Sequence, residues 1–240
     1  MKNLFKYDTH THTYETSLCG LIPAADLAEM YQELNYSGIV ITDHLNDEYI
    51  SSLDCKEDWN ACIDHFLRGY KKALERGNKI GLDVILGAEI QFESTNDNHY
   101  LLYGIDEAFL RQNPYLHRLD PWEFFRRFGS EVLIIHAHPF RDGNETVFCE
   151  CVHGIEVFNG SPRHESRNEK ALALYESKPE FYPFCGSDAH CNEDLGKAGM
   201  LFNGRISGSH AFHEAVKRKE YAMACAAEKR KTRYQVSLGF

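Results

Sequence analysis

The sequence predicts an α/β fold in which parallel strands are joined by helical crossovers. Three observations lead there. Strand-type runs alternate with helix-type segments along the whole length, no glycine-rich phosphate loop follows the first strand, and polar clusters sit at the C-terminal ends of strands, where barrels carry their working side chains. The alternation alone admits a closed barrel or an open doubly wound sheet. Nothing in the 240 residues reads as a linker, internal repeat or low-complexity tract, so one domain over residues 1–240 is expected.

The elements follow in order. NLFKYD (3–8) reads as a strand. Pro23, at a first helical position, opens a helix over 23–36 whose Leu27, Met30, Tyr31 and Leu34 share one face. SGIVITDH (37–44) is a second strand, and a long helix over 58–77 stops at Gly77. LDVILGAEI (82–90) and HYLLYGI (99–105) are short apolar runs of strand type. Asp120, Pro121 and Glu123 form a capping-box start for a helix over 121–129. Strands over 131–138 and 154–159, a helix over 164–177, a strand over 181–188, a helix over 209–219 and a strand over 221–226 complete the set.

Composition narrows the function. Thirty-six acidic residues against 26 basic ones give a formal charge of −10, which disfavours a broad surface tracking the phosphates of duplex nucleic acid. The basic stretch EKRKTR (228–233) reads as a solvated charged segment rather than a nucleic-acid arm. Eight cysteines include no CxxC pair, and a chain of this size needs no stapling, so reduced thiols in a cytosol fit best. No apolar run reaches the roughly 18 residues of a membrane span, and the N-terminus has no signal-type apolar stretch. A cytoplasmic protein is expected.

Thirteen histidines carry most of the chemical information. In YDTHTHT (7–13), Asp8, His10 and His12 alternate, so in a strand they leave from one face and suit a cation. Asp43 and His44 end the second strand. Glu89 lies among apolar neighbours, where an unpaired carboxylate would be costly; a cation or a buried ion pair would remove that cost. His99, the pair His136 and His138, the segment Glu156 to Asn159, and the pair Asp188 and His190 also fall at strand ends. One of His136 and His138 would ligate while the other orients it. Imidazoles and carboxylates in this number suit two or three zinc, manganese or iron ions, and exceed a single tetrahedral site.

The ordered set DTHTHT, ITDH, GAEI followed by HYLLYGI, AHPF, GIEVFN and GSDAH resembles the motifs of the PHP family, named for polymerase and histidinol phosphatase. The resemblance runs from Asp8 to about His190. It implies a distorted (β/α)7 TIM-like barrel with a two- or three-metal phosphoesterase centre. By motif, His10, His12, Glu89 and Asp188 would hold one metal; Glu89 would bridge to a second held by His99 and His138; His44 and His190 would hold a third. The family usually supplies one more third-metal ligand, a histidine or aspartate, soon after HxH. Here that stretch is YETSLCGL (14–21): Cys19 ligates, Glu15 reaches in, or the third site is weak. His136 matches a position that is usually not a ligand.

That resemblance implies hydrolysis of phosphate esters by a metal-activated hydroxide, with Glu89, Asp188 and His190 at the centre of the chemistry. His190 or a metal-bound water would protonate the leaving group. Arg141, Arg163 and Arg167 are candidate phosphate clamps. The substrate expected is a small phosphate monoester, histidinol-phosphate-like or nucleotide-like. Alternatives are a phosphodiesterase or exonuclease on short nucleic acids or nucleotide derivatives, and a non-catalytic metal-binding module. An amidohydrolase also opens with HxH but commonly bridges its metals with a carboxylated lysine, where this chain offers Glu89.

Overall fold

The computed structural model describes residues 4–95, 98–144 and 149–225; the basic stretch 228–233 lies outside them. Its strands are β1 (Phe5–Thr11), β2 (Gly38–Ile41), β3 (His44–Leu45), β4 (Asp83–Leu86), β5 (Ala88–Gln91), β6 (His99–Tyr103), β7 (Leu133–His136), β8 (Gly154–Asn159), β9 (Tyr182–Gly186), β10 (Ala198–Phe202) and β11 (Tyr221–Cys225). The helices are α1 (Ala24–Glu33), α2 (Asp47–Ser52), α3 (Trp59–Ile80), α4 (Glu107–Gln112), α5 (Pro121–Phe128), α6 (Asn168–Ser177) and α7 (Ser209–Lys217).

The described strands form two sheets and not one closed barrel, in the orders β11-β10-β1-β2-β4 and β3-β5-β6-β7-β8-β9. Two runs expected as single strands explain the division. The run 37–44 breaks after Ile41, leaving β2 beside β1 and sending β3 to pair with β5. The run 82–90 breaks at Gly87, whose N–H still donates to Ile41 O (2.9 Å), whereas Glu89 N–H donates to Asp43 O (3.0 Å) on the other sheet. Pairing is also mixed: β6 is antiparallel to both β5 and β7, and β10 is antiparallel to β1 and β11. The expectation of uniformly parallel strands therefore fails at these pairs. Of these pairs only β5 and β6 are joined by a short connection; β6–β7 and β10–β11 are antiparallel across intervening helices, and β1–β10 pairs strands far apart in the chain.

A second seam joins the sheets where β1 meets β9. Thr9 Oγ1 donates to Cys185 O (3.1 Å), His12 N–H donates to Ala189 O (3.0 Å), and Thr11 bridges Ala189 in parallel. The approach is close enough that a Cβ on Gly186 would lie 2.4 Å from His10 Cβ. Beneath this seam Tyr103 stacks on Phe184 (5.0 Å between centroids) and its hydroxyl donates to Thr9 O (2.9 Å). All three of Tyr103, Phe184 and Phe212 are fully buried, each aromatic contributing about 1.5–3 kcal/mol by leaving water.

Helix boundaries follow local capping. Asp58 and Asp120 accept from the amides of Ala61 (3.1 Å) and Glu123 (2.8 Å), starting α3 and α5 as the sequence suggests. Gly77 does not end α3; the helix runs on to a left-handed Gly81 at φ 78°. Pro23 caps α1 and stands just outside it. The sequence reading misses β10 and the short helices α2 and α4, which start at Asn46 and Asp106 caps.

Candidate metal centre

One carboxylate organises the site. Glu89, on β5, is 2% exposed and faces five imidazoles: His10 Nε2 (3.5 Å), His12 Nε2 (3.4 Å), His44 Nδ1 (2.9 Å), His99 Nδ1 (3.1 Å) and His138 Nε2 (3.0 Å). Asp188, after β9, faces His10 Nε2 (3.4 Å) and His12 Nε2 (3.3 Å) from the other side. His190 stacks on His12 at 4.1 Å. The structure thus brings together all eight residues singled out by motif, from both sheets. Donor atoms of His10, His12 and Glu89, of His44, Glu89 and His99, and of His12, His44 and His190 each fall within 4.8 Å of one another.

The tautomer of His12 follows from its neighbours. Ser17 Oγ donates to the Asp43 carboxylate (2.7 Å), so its lone pairs remain to accept from His12 Nδ1–H (3.1 Å) and His44 N–H (3.2 Å). That leaves a lone pair on His12 Nε2. This atom is buried, has no hydrogen-bond partner, and is aimed at the two carboxylates. Burial, with His190 and His44 adding to it, holds the His12 imidazole neutral, well below its usual range. A lone pair facing anions is a repulsive arrangement that a cation between them reverses. The residues therefore fit a divalent ion.

His10 repeats the pattern with a difference. Its Nδ1 lies 3.0 Å from Glu156 Oε1, and its buried Nε2 also lacks a partner. Burial would lower its pKa, but Asp188, Glu156 and Glu89 outweigh it and raise the group well above its usual value. A proton can hold this position as a cation would. For Glu89, burial is outweighed by His99, His10 and His44, and for Asp188 by His10 and Arg141, so both carboxyls stay well below their usual range.

Supporting contacts fall differently from the sequence reading. Asp8 does not join the cluster: its carboxylate accepts from Ser187 N–H (3.0 Å), His10 N–H (3.2 Å) and Tyr31 Oη–H (2.7 Å), tying β1 to the loop after β9. Asp43 accepts from Thr13 N–H and Oγ1–H (both 2.7 Å) as well as Ser17, and burial raises it to about 6. Gly69 in α3 makes room for this arrangement, since a Cβ there would lie 1.9 Å from Thr13 Oγ1. His136 does not orient His138. It bonds Asn98 Oδ1 through Nε2 (3.1 Å), stacks on Tyr100, and is lowered to about 3 by burial. The group that positions His138 is Glu156, whose Oε2 accepts from the His138 backbone N–H (2.9 Å). His138 and Asp188 are held at left-handed φ values of 31° and 53°.

Around the centre lies a cavity of about 750 Å³ lined by residues that include Cys19, Asn98, Arg141, Arg163 and His164. Arg141 donates through Nη2 to Asp188 Oδ2 and to Asn159 Oδ1 (3.0 Å). Arg163 pairs with Asp194 at 3.1 Å. Arg167 is off the cavity wall, beside Glu165 at 3.7 Å. Glu15 turns away altogether, accepting from Ala24 N–H (2.9 Å) and pairing with Lys72 (3.3 Å). Cys19 lines the cavity together with His190 and His44; burial would raise its thiol, but these imidazoles lower it to about 6. Sequence reasoning missed Ser17 and Asn98, and placed Asn159 in a strand-end cluster without giving it a role. Asn159 Nδ2 donates to both Glu156 (2.9 Å) and Asp188 (3.3 Å), and only its place beside Glu156 hinted at this.

Solved structures share the fold. A two-domain protein from Bacteroides vulgatus containing a predicted PHP-like metal-dependent phosphoesterase matches 93% of this chain with TM-score 0.66 at 19% identity; the chain spans 65% of that protein, less than two thirds of its length. A Bifidobacterium adolescentis protein described as a metal-dependent phosphoesterase matches 88% of this chain and 96% of its own, with TM-score 0.51 at 15% identity. An amidohydrolase from Chromobacterium violaceum with bound sulfate and no metal matches 92% and 98%, with TM-score 0.52 at 13% identity. Among curated proteins none matches. The PHP domain model matches residues 8–195, which takes in every donor from His10 to His190, and the chain belongs to the PHP domain family.

Proposed function

We propose that this chain is a metal-dependent phosphoesterase hydrolysing a small phosphate monoester, histidinol-phosphate-like or nucleotide-like. The observation that carries the reading is the buried, unpartnered Nε2 of His12, a lone pair directed at Glu89 and Asp188. His10, His12, Glu89 and Asp188 would hold one ion, Glu89 with His99 and His138 a second, and His44 with His190 a third. Zinc, manganese or iron suits these donors. Bound there, such ions supply Lewis acidity, neutralising phosphoryl oxygens and making water nucleophilic near neutral pH.

The chain's own groups do the rest. Arg141 fixes Asp188 with one nitrogen, and its remaining N–H groups are available to orient a phosphate oxygen at the cavity wall. His190 has one free nitrogen, because its Nδ1–H is given to Asp188 O (3.0 Å); that nitrogen serves the cation and leaves no second one to act as an acid. Glu156 and Asn159 keep His10, His138 and Asp188 oriented, which matters because phosphoryl transfer depends on positioning and charge stabilisation. A cavity of about 750 Å³ suits a metabolite-sized ligand.

The test is phosphate release from histidinol phosphate, nucleoside monophosphates, sugar phosphates and a dinucleotide, with manganese, zinc or iron(II) supplied. At least one monoester should be hydrolysed. Cleavage of the dinucleotide alone would replace this reading with a phosphodiesterase, and metal uptake without any turnover would replace it with a binding module.

A further inference from the structure

The strand-borne donors leave the cation site nearest the cavity mouth short of ligands. His44 and His190 approach with ring centroids 5.9 Å apart, and with His12 their donor nitrogens lie within 4.8 Å of one another. His190 Nδ1–H is committed to a backbone carbonyl, which can only accept, so Nε2 carries the lone pair. His12 comes within the same reach, but its one Nε2 lone pair is directed at Glu89 and Asp188 and belongs with the first ion, so it does not complete this set. Glu89, 2.9 Å from His44 Nδ1, is already shared among five imidazoles, and neither Glu15 nor Asp43 completes the set. Glu15 is bound to the start of α1 and to Lys72, and Asp43 is saturated by Thr13 and Ser17.

We propose, building on the metal-centre reading above, that Cys19 Sγ is the remaining ligand, making this a mixed imidazole–sulfur site. Its position is imposed from both sides. Ser17 N–H donates to Thr13 O (3.0 Å) and Gly20 N–H to Ser17 O (2.9 Å), while Leu21 N–H donates to His190 O (2.8 Å). Cys19 is thereby held on a short turn between the HxH strand and His190, and its side chain lines the cavity with His44 and His190. Sulfur is a soft donor. It selects zinc, iron(II), cobalt or cadmium over manganese and magnesium, whereas a carboxylate or a third imidazole in its place would leave the site hard or borderline. The ion at the mouth is thus chemically distinct from those at Glu89, which see only nitrogen and oxygen.

Cobalt(II) titration of the metal-free full chain tests this by spectroscopy. The wild type should develop visible d–d absorption from imidazole-bound cobalt and, at the last equivalent, a near-ultraviolet sulfur-to-cobalt charge-transfer band. Cys19→Ser should lose that band while keeping the d–d absorption of the other ions, and Cys19→Asp should bind the last ion without the band and accept manganese there. Cobalt saturation of the wild type with no such band would overturn the assignment alone, as would a full band in Cys19→Ser. Failure of the chain to take up cobalt through its histidines would overturn the metal-centre reading and this proposal with it.

Discussion

Among the described residues, two clusters offer histidine and carboxylate donors within 4.8 Å of one another, yet they are built differently. One is the Glu89 centre. The other is Asp47, Glu93 and His117, at the edge formed by α2 and the segment after β5. In the first, the carboxylates are buried and the second nitrogens of His12, His10 and His190 are oriented by Ser17, Glu156 and a backbone carbonyl. In the second, Asp47 and Glu93 are exposed, and a cation is already there: Arg118 lies 3.4 Å from Glu93 and 3.9 Å from Asp47. His117 is fully buried, but neither of its ring nitrogens has a hydrogen-bond partner. Donor type and proximity are therefore poor guides. What separates the two is whether the groups behind the donors point them at a shared, dry position.

The largest expected effect is the exchange of the central carboxylate in each. Glu89→Ala should lower phosphate release on the order of 10²–10³-fold, the scale of losing one electrostatic partner at a reacting centre. Glu93→Ala should stay within about fivefold, as befits an exposed ion pair. Equal losses would erase the distinction.

His117 provides the next test. Burial lowers it from 6.5 to about 4, so the folded chain binds fewer protons than the unfolded chain between these values. Its contribution to stability is complete above pH 6.5 and is lost as pH falls through 4, amounting to about 3 kcal/mol. The difference in unfolding free energy between wild type and His117→Phe should follow that slope. A flat difference would mean that His117 finds a partner after all.

Smaller still is Glu156→Gln, which keeps the shape but removes the charge behind His10. Metal affinity measured by chelator competition should drop roughly 10- to 100-fold. No change would demote Glu156 to a packing role.

Much of the centre was legible because strand spacing is local. Two-residue periodicity is enough to put His10 and His12 on one face, and Glu89 among apolar neighbours announces a need for positive charge. Asp8 shares that face in sequence, yet its carboxylate is taken by Ser187 and Tyr31, contacts that no spacing reveals. The same holds for Glu156 and His136, whose roles depend on which nitrogen or amide faces them across the fold. The breaks after Ile41 and at Gly87 were hidden for a related reason: an apolar run looks the same whether it stays in one sheet or passes to another. Antiparallel β10 escaped notice because its pairing with β1 joins residues nearly 200 positions apart.

His138 and Asp188 adopt left-handed backbone conformations, at a cost of about 1–3 kcal/mol each relative to glycine. The native chain is therefore tuned for readiness and gives up some robustness, as glycine at either position would relax the main chain while stripping away a donor.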